Sequence, residues 1–266
     1  MLIEGEIGTY TVMTMQMRMG LAITLMSLAL STSHSHAAVY AGNGNSSFGG
    51  AIGNGSLSLT DNGTTITGTL TKGGSAGTAF SSVLVIYIDS KPGGFTDTTG
   101  FSDDSSGLRR AISGYNSGSR ATANFASGFA ADYAVAVGVD QNGGLFTLVR
   151  GNDLSVDSKI INFSPTDTQT AATYTFRFDW SDIGLTGGSG FKFETTYITA
   201  SGSRSLESFE TLTGSSGFNT VNFGNFDTYG NPVPEPAEWG LIAGMGLLGI
   251  GACHTWRQSR PRVLAK

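Results

Sequence analysis

The sequence predicts an all-β domain, an antiparallel two-sheet β-sandwich of jelly-roll type, and three observations predict it. Roughly ten short apolar or alternating stretches recur at hairpin spacing along the middle of the chain. No stretch there repeats apolar residues at the 3.6-residue period of a long amphipathic helix. Glycine, 39 of 266 residues, is about twice the usual ~7 %, and with abundant Ser, Thr and Asn it favours turns and polar strands. An open barrel is the second architecture this pattern allows.

The chain divides into a signal peptide (1–37), a Gly/Asn-rich lead-in (38–55), the sandwich domain (56–231) and a C-terminal segment with one apolar helix (232–266). The first fourteen residues carry Glu4 and Glu6, whereas a secretory leader begins positive. A start at Met15 or Met17 instead gives Arg18, an apolar run over 21–30 and small residues up to Ala37 and Ala38. Cleavage is expected after Ala37, with Ala38 next. An uncleaved anchor is disfavoured, because ten apolar residues are too few to span a bilayer.

The elements follow in order. Residues 40–55 read as a flexible lead-in with a first strand near Phe48, since so many glycines lose entropy on ordering and bury little. Residues 56–60 and 64–71 alternate around an Asp61-Asn62-Gly63 turn, a hairpin with one wet face. The run 83–88 (VLVIYI) is apolar and β-branched without helical length, a central strand buried on both faces. Residues 90–118 form a long excursion full of turn residues, and loops beyond about 12–15 residues are usually functional or disordered. Strands return at 121–125, 133–140 and 145–150, the last two joined by a turn at 141–144, and at 159–163. In 174–180, Tyr174, Phe176, Phe178 and Trp180 share one face at a strict period of two, which makes Trp180 a core residue. Ser181 and Asp182 then cap a short turn, and 191–199 alternates again. A brief helix is expected at 206–212, and 220–223 closes the sheet.

Between residues 38 and 232 there is no His, no Cys and no Met. That excludes a Ser-His-Asp triad, a Cys-His nucleophile, a His or Cys zinc site and a disulfide from the body. The same stretch has 13 Asp and 3 Glu against 4 Lys and 6 Arg, a net charge of −6, so nucleic acid is not an expected partner. No cofactor is indicated. Three clusters remain for weighing. Asp97, Asp103 and Asp104 offer oxygens to a calcium ion but equally serve as turn residues. Glu194, Glu207 and Glu210 are the only glutamates of the body, and a glycosidase needs two carboxylates about 5 to 9.5 Å apart. Phe95, Phe101 and Tyr115, with Arg109 and Arg110, suit stacking against a sugar, or else pack the long loop onto the sheet.

The C-terminus is more explicit. Residues 239–256 would span about 27 Å as a helix, near the ~30 Å of a bilayer core, with Trp239 and Trp256 at the two interfaces. Arg257, Arg260 and Arg262 follow on one side only, which should stay cytoplasmic. Gly240 and Gly244 form a GxxxG, a pattern that glycine-rich composition also produces. Ahead of the helix stand Val233, Pro234, Glu235 and Pro236, where proline fixes φ and holds the chain extended. A single-pass anchor would need only the helix.

Box, short Gly-Leu-rich helix and terminal arginine cluster together resemble the PEP-CTERM sorting signal of bacterial envelope proteins. The resemblance implies signal peptidase and exosortase as processing partners and transient anchoring in the inner membrane. It further implies delivery to the cell surface or an extracellular, exopolysaccharide-containing matrix. The stretches VLVIYIDSKPGGFTD, FAADYAVAVGVD, TYTFRFDWSDIGL and FKFETTYI are similar to family-nine carbohydrate-binding modules and DOMON-like sandwiches. Together these readings predict an exported, non-enzymatic structural or matrix-associated protein. The alternatives are a binding module for exopolysaccharide or plant glycan, and a polysaccharide hydrolase.

Overall fold

A computed structural model describes residues 36–74, 79–138, 143–151, 155–157 and 170–230. Over them strand is the dominant regular structure, in several sheets that are antiparallel except for one short pair. Residues 1–35 of the expected leader (1–37), the box Val233–Pro236, the helix expected after it, the arginine cluster and the strand at 159–163 lie outside the described residues. Among the described residues no helix is long and apolar enough to cross a membrane.

The hairpin around Asp61–Gly63 forms because Asp61 and Asn62 accept from the backbone two and three residues on. Asp61 Oδ1 accepts from Gly63 N at 2.8 Å, and Asn62 Oδ1 from Thr65 N at 2.8 Å. It joins β2 (Ser56–Asp61) to β3 (Thr65–Thr71); β1 (Ala37–Ala41) adds on one side and β11 (Thr173–Asp179) on the other. Leu57, Leu59, Ile66 and Leu70 point in, with Ser and Thr on the opposite face of the hairpin, as the alternation requires. Gly68 lies opposite Phe176, and a Cβ there would sit 2.1 Å from the phenyl ring. The glycine makes room for the aromatic.

The second sheet has six strands in the order β10 (Ser155–Asp157), β9 (Gly143–Thr147), β8 (Tyr133–Val137), β4 (Val83–Asp89), β12 (Gly190–Ile198), β15 (Asp227–Gly230). Every residue of β4 is buried, as its uninterrupted apolar run demands of a strand covered on both faces. One apolar cluster contains Leu57, Leu59, Phe176 and Phe178 of the four-stranded sheet with Leu84, Ile86, Phe193 and Tyr197 of the six-stranded one. A second cluster joins Val83, Val85, Tyr87 and Ala134 to Phe101, Ile112 and Phe129 of the intervening segments. Trp180 is buried in the first cluster, at the start of the 3-10 turn Trp180–Ile183.

Three expectations need correction. The long excursion contains a helix, α1 (Gly107–Ser113), whose N-cap Ser106 accepts from Arg109 N and whose C-cap Gly114 has φ 64°. Seven residues are too few to show a helical period. Residues 206–212 are not helical. They continue a segment that runs beside β12, with Ser205 N donating to Tyr197 O at 2.7 Å and Tyr197 N to Glu207 O at 3.2 Å. That segment and β15 divide the outer edge of β12 between them. Residues 220–223 therefore find no place on that edge. They form β14 (Val221–Phe223), which pairs with β13 (Leu212–Gly214) and, in parallel, with β7 (Ala123–Asn124). A last small pair joins β5 (Tyr115–Asn116) to β6 (Ser119–Arg120).

Candidate functional site

Residues 203–210, S-R-S-L-E-S-F-E, bring three buried charged side chains into one short segment. Arg204, Glu207 and Glu210 are at most 1 % exposed, yet among the described residues no ion pair joins any of them to an opposite charge. Each is instead held by dipoles. Arg204 donates to Ala121 O at 3.1 Å, Tyr87 Oη at 3.0 Å and Ile112 O, the last a carbonyl at the C-terminal end of α1. Its Nη1 has no protein partner. Glu210 Oε2 accepts from Thr195 N at 2.9 Å, Thr195 Oγ1 at 2.7 Å and the Ser208 hydroxyl. Burial outweighs those bonds and pushes its carboxyl up to about 8, with Asp227 adding repulsion.

Glu207 organises residues 42–55. Its two oxygens accept from four backbone N–H groups: Phe48, Gly50 (3.1 Å), Ile52 (3.0 Å) and Gly53 (3.4 Å). Consecutive N–H groups turned toward one anion make a nest, a fixed patch of positive partial charge. The expected flexible lead-in is thus a built loop with Ala51 and Ile52 in the core and no strand near Phe48. Its glycines permit close approach: a Cβ at Gly53 would fall 1.9 Å from Asn45 O. Two open polar clefts flank the loop. One, about 470 Å³, is lined by Ser46, Gly49, Asn54, Gly73 and Gly74. The other, about 300 Å³, is lined by Asn43, Gly44, Asn45, Thr211 and Leu212. Apart from Leu212 their walls are amides, hydroxyls and backbone, without an aromatic platform.

The residues singled out in the excursion are spent on packing. Phe101 is fully buried and meets Phe95 edge to face at 4.9 Å, so it offers no stacking surface. Phe95 is half-buried with the Arg150 guanidinium over its ring at 5.3 Å. Arg109 pairs with Asp103, and Arg110 donates to Asp104 O and Ala200 O, both at 2.8 Å. Tyr115 is half-buried, with Arg120 over it at 5.0 Å. The three aspartates do not converge. Asp97 accepts from Thr99, Asp103 from Ser105 and Arg109, Asp104 from Ser117 N at 3.1 Å. Among the described residues no three His, Cys, Asp or Glu side chains stand close enough to hold a metal.

The glutamates weighed as a hydrolytic pair are closed off from solvent, Glu194 included. Burial pushes the Glu194 carboxyl up to about 9 against the bond from Ala126 N, with Glu210 and Asp89 adding repulsion. What sequence reading missed is that these glutamates hold the fold from inside. Only their sparseness in a stretch otherwise rich in Asp hinted at it. Ala37 and Ala38, expected at the leader cleavage site, begin β1, paired with Thr60 and Leu59. No protein-family model, curated protein or solved structure matches the chain.

Proposed function

We propose that the protein is exported and sorted through its C-terminal tail as a PEP-CTERM substrate, carrying a non-enzymatic β-sandwich body to the cell surface or an extracellular matrix. The observation that carries this reading is the order of three parts in the sequence: Val233-Pro234-Glu235-Pro236, the 18-residue apolar stretch 239–256 with a tryptophan at each end, then Arg257, Arg260 and Arg262. Each has a mechanical role. The prolines hold an extended strip for a membrane-embedded exosortase, and the helix sets that strip at the outer face. The arginines stop transfer, each costing about 2.5–3.5 kcal/mol if drawn to the bilayer centre.

The apolar cluster shared by the four- and six-stranded sheets supports the sandwich. Carboxylates spent on internal hydrogen bonds, with none among the residues lining the two clefts beside residues 42–55, support a structural rather than hydrolytic body. Signal peptidase would act before β1 pairs with β2, since afterwards Ala37 and Ala38 lie within the sheet. Intact-mass spectrometry of the surface-released protein tests the sorting. A mature form ending near Glu235 is expected, and one still carrying residues 239–266 would reduce the tail to a plain anchor.

A second reading, a carbohydrate-binding module for exopolysaccharide or plant glycan, draws on the two uncharged polar clefts beside residues 42–55. Amides and hydroxyls without charge suit neutral sugar hydroxyls. Affinity-gel retardation on polysaccharides tests it, and mobility unaffected by any of them counts against it.

A further inference from the structure

Lys192, Asp89 and Glu194 share the face of the six-stranded sheet that looks away from the four-stranded one. Lys192 stands opposite Asp89 in the register of β12 and β4, and Glu194 lies two residues along β12, opposite Tyr87. The three side chains are therefore direct or diagonal neighbours across one strand pair. Lys192 Nζ is 3.6 Å from Asp89 Oδ2 and donates to Gly128 O at 2.8 Å. Ala130 N donates to the same Oδ2 at 3.2 Å. Around them are the Phe226 ring, 5.3 Å from Nζ, and the buried Phe129. Asp89 is 5 % exposed, Glu194 not at all, and the Lys192 side chain 16 %. Glu194 Oε1 accepts from Ala126 N at 2.9 Å, while Oε2 is buried without a protein partner.

A lysine–aspartate pair on a wet surface is only an ion pair. Where the acid is buried and the lysine mostly covered, the paired charges cost more, and passing the proton from ammonium to carboxylate leaves a neutral amine beside a neutral carboxylic acid. A neutral amine is a nucleophile, and one held against its electrophile gains the large effective concentration of an intramolecular reaction. What such a pair needs besides is a group that can give and take a proton without adding charge.

We propose that Lys192 and Asp89 condense to an amide that cross-links β12 to β4, with Glu194 as the acid–base partner. The Lys192 Nζ lone pair attacks Asp89 Cγ, and the carbonyl electron pair moves onto oxygen, where the Ala130 N–H stabilises it. The tetrahedral adduct then expels its hydroxyl as water. The leaving oxygen takes a proton from the Glu194 carboxyl, and Glu194 recovers one from the nitrogen. One C–N bond forms, one C–O bond breaks and one water leaves; no oxidant, metal or cofactor takes part. Burial keeps Glu194 protonated at neutral pH, the form this role requires. The described geometry is that of the ion pair before the bond. A body without cysteine has no disulfide to staple it, and this amide would do so from residues already in register.

Trypsin digestion of the denatured full-length chain followed by mass spectrometry decides it. Trypsin cuts neither after an acylated lysine nor between Lys91 and Pro92. The cross-linked protein should give a branched species, residues 73–109 joined to residues 178–204, lighter by one water than the two peptides together. Separate peptides 178–192 and 193–204 in full yield, from wild-type protein with a folded circular-dichroism spectrum, would overturn the proposal. Lys192→Arg should abolish the branched species. Glu194→Gln, folded by the same criterion, should slow its formation about 100-fold or more, the usual worth of acid–base assistance. Branching at the wild-type rate in Glu194→Gln would remove Glu194 from the chemistry, and branching in Lys192→Arg would refute the assigned bond.

Discussion

Raising the pH from 5 to 8 should destabilise this fold, and replacing Glu210 by Gln should remove part of that dependence. Glu210 and Glu194 are carboxyls that burial holds neutral, up to about 8 and about 9. In the unfolded chain each ionises near 4.3. Between those values the native state binds more protons than the unfolded state, so stability falls as pH rises. The stabilisation is complete below about pH 4.3 and is lost as pH climbs through the folded values. Each group contributes a slope of about 1.4 kcal/mol per pH unit, so both together bring at most about 7–8 kcal/mol over three units. Against a total stability of about 5–15 kcal/mol, even half of that is easily measured. Urea unfolding followed by circular dichroism at pH 5, 6.5 and 8 supplies the midpoints. Gln keeps an acceptor for Thr195 and Ser208 but cannot ionise, and Glu210→Gln should show about half the wild-type slope. A wild-type midpoint that holds steady or rises over this range would refute the assignment, as would an unchanged slope in the variant.

Glu207→Ala would leave four loop N–H groups without their acceptor, and at about 1–3 kcal/mol for an unmade buried bond the loss should reach at least 3 kcal/mol. Hydrogen exchange should show the amides of residues 48–53 losing protection first. Gly68→Val drives a side chain into Phe176 and should cost about 1–3 kcal/mol in chemical unfolding, with Phe176→Leu beside it restoring part of the loss. If the amide forms, Lys192→Arg should lower the melting temperature. Closing a loop of roughly 100 residues is worth up to about 4.7 kcal/mol by the chain-entropy relation for a covalent link. Glu235→Ala should leave membrane insertion intact while full-length protein accumulates in the inner membrane, as read by fractionation and immunoblot.

The strands were legible where one face is wet. Residues 56–71 and 173–179 alternate because the four-stranded sheet buries one side only, and period two survives in the sequence. β4 was legible for the opposite reason, since burial on both faces leaves an unbroken apolar run. β12 hid its second buried face. The stretch 191–199 alternates like a strand with one buried face, yet Glu194 and Thr196 on the other face are fully buried because other segments cover that side. Nothing local announces such tertiary cover. Residues 42–55 failed likewise: their order comes from a carboxylate more than 150 positions away, whereas composition reports only the entropy that must be overcome.

This distinction bears on how a glycan-binding role can be tested. Phe101 and Tyr115 both invite alanine substitution, but only one of them would give an interpretable answer. Phe101 is fully buried against Phe95, so Phe101→Ala should cost about 3–5 kcal/mol and reduce any binding simply by unfolding protein. Tyr115 is half-buried beneath Arg120 at the edge of a two-residue strand pair, where truncation should cost less and leave the main sheets in place. The clefts offer cleaner probes still. Asn54 lines the larger one, and Asn54→Asp would add a charge there while changing almost no volume. Asn43 is a poor choice, because its amide donates to Leu206 O at 2.9 Å and Glu210 O at 3.2 Å and so joins the loop to the buried segment. Retention on polysaccharide lost in Asn54→Asp, at an unchanged unfolding midpoint, would place the ligand beside the Glu207 loop. Retention lost only in Tyr115→Ala would place it on the excursion, and loss confined to Phe101→Ala would leave the body without a demonstrated sugar site.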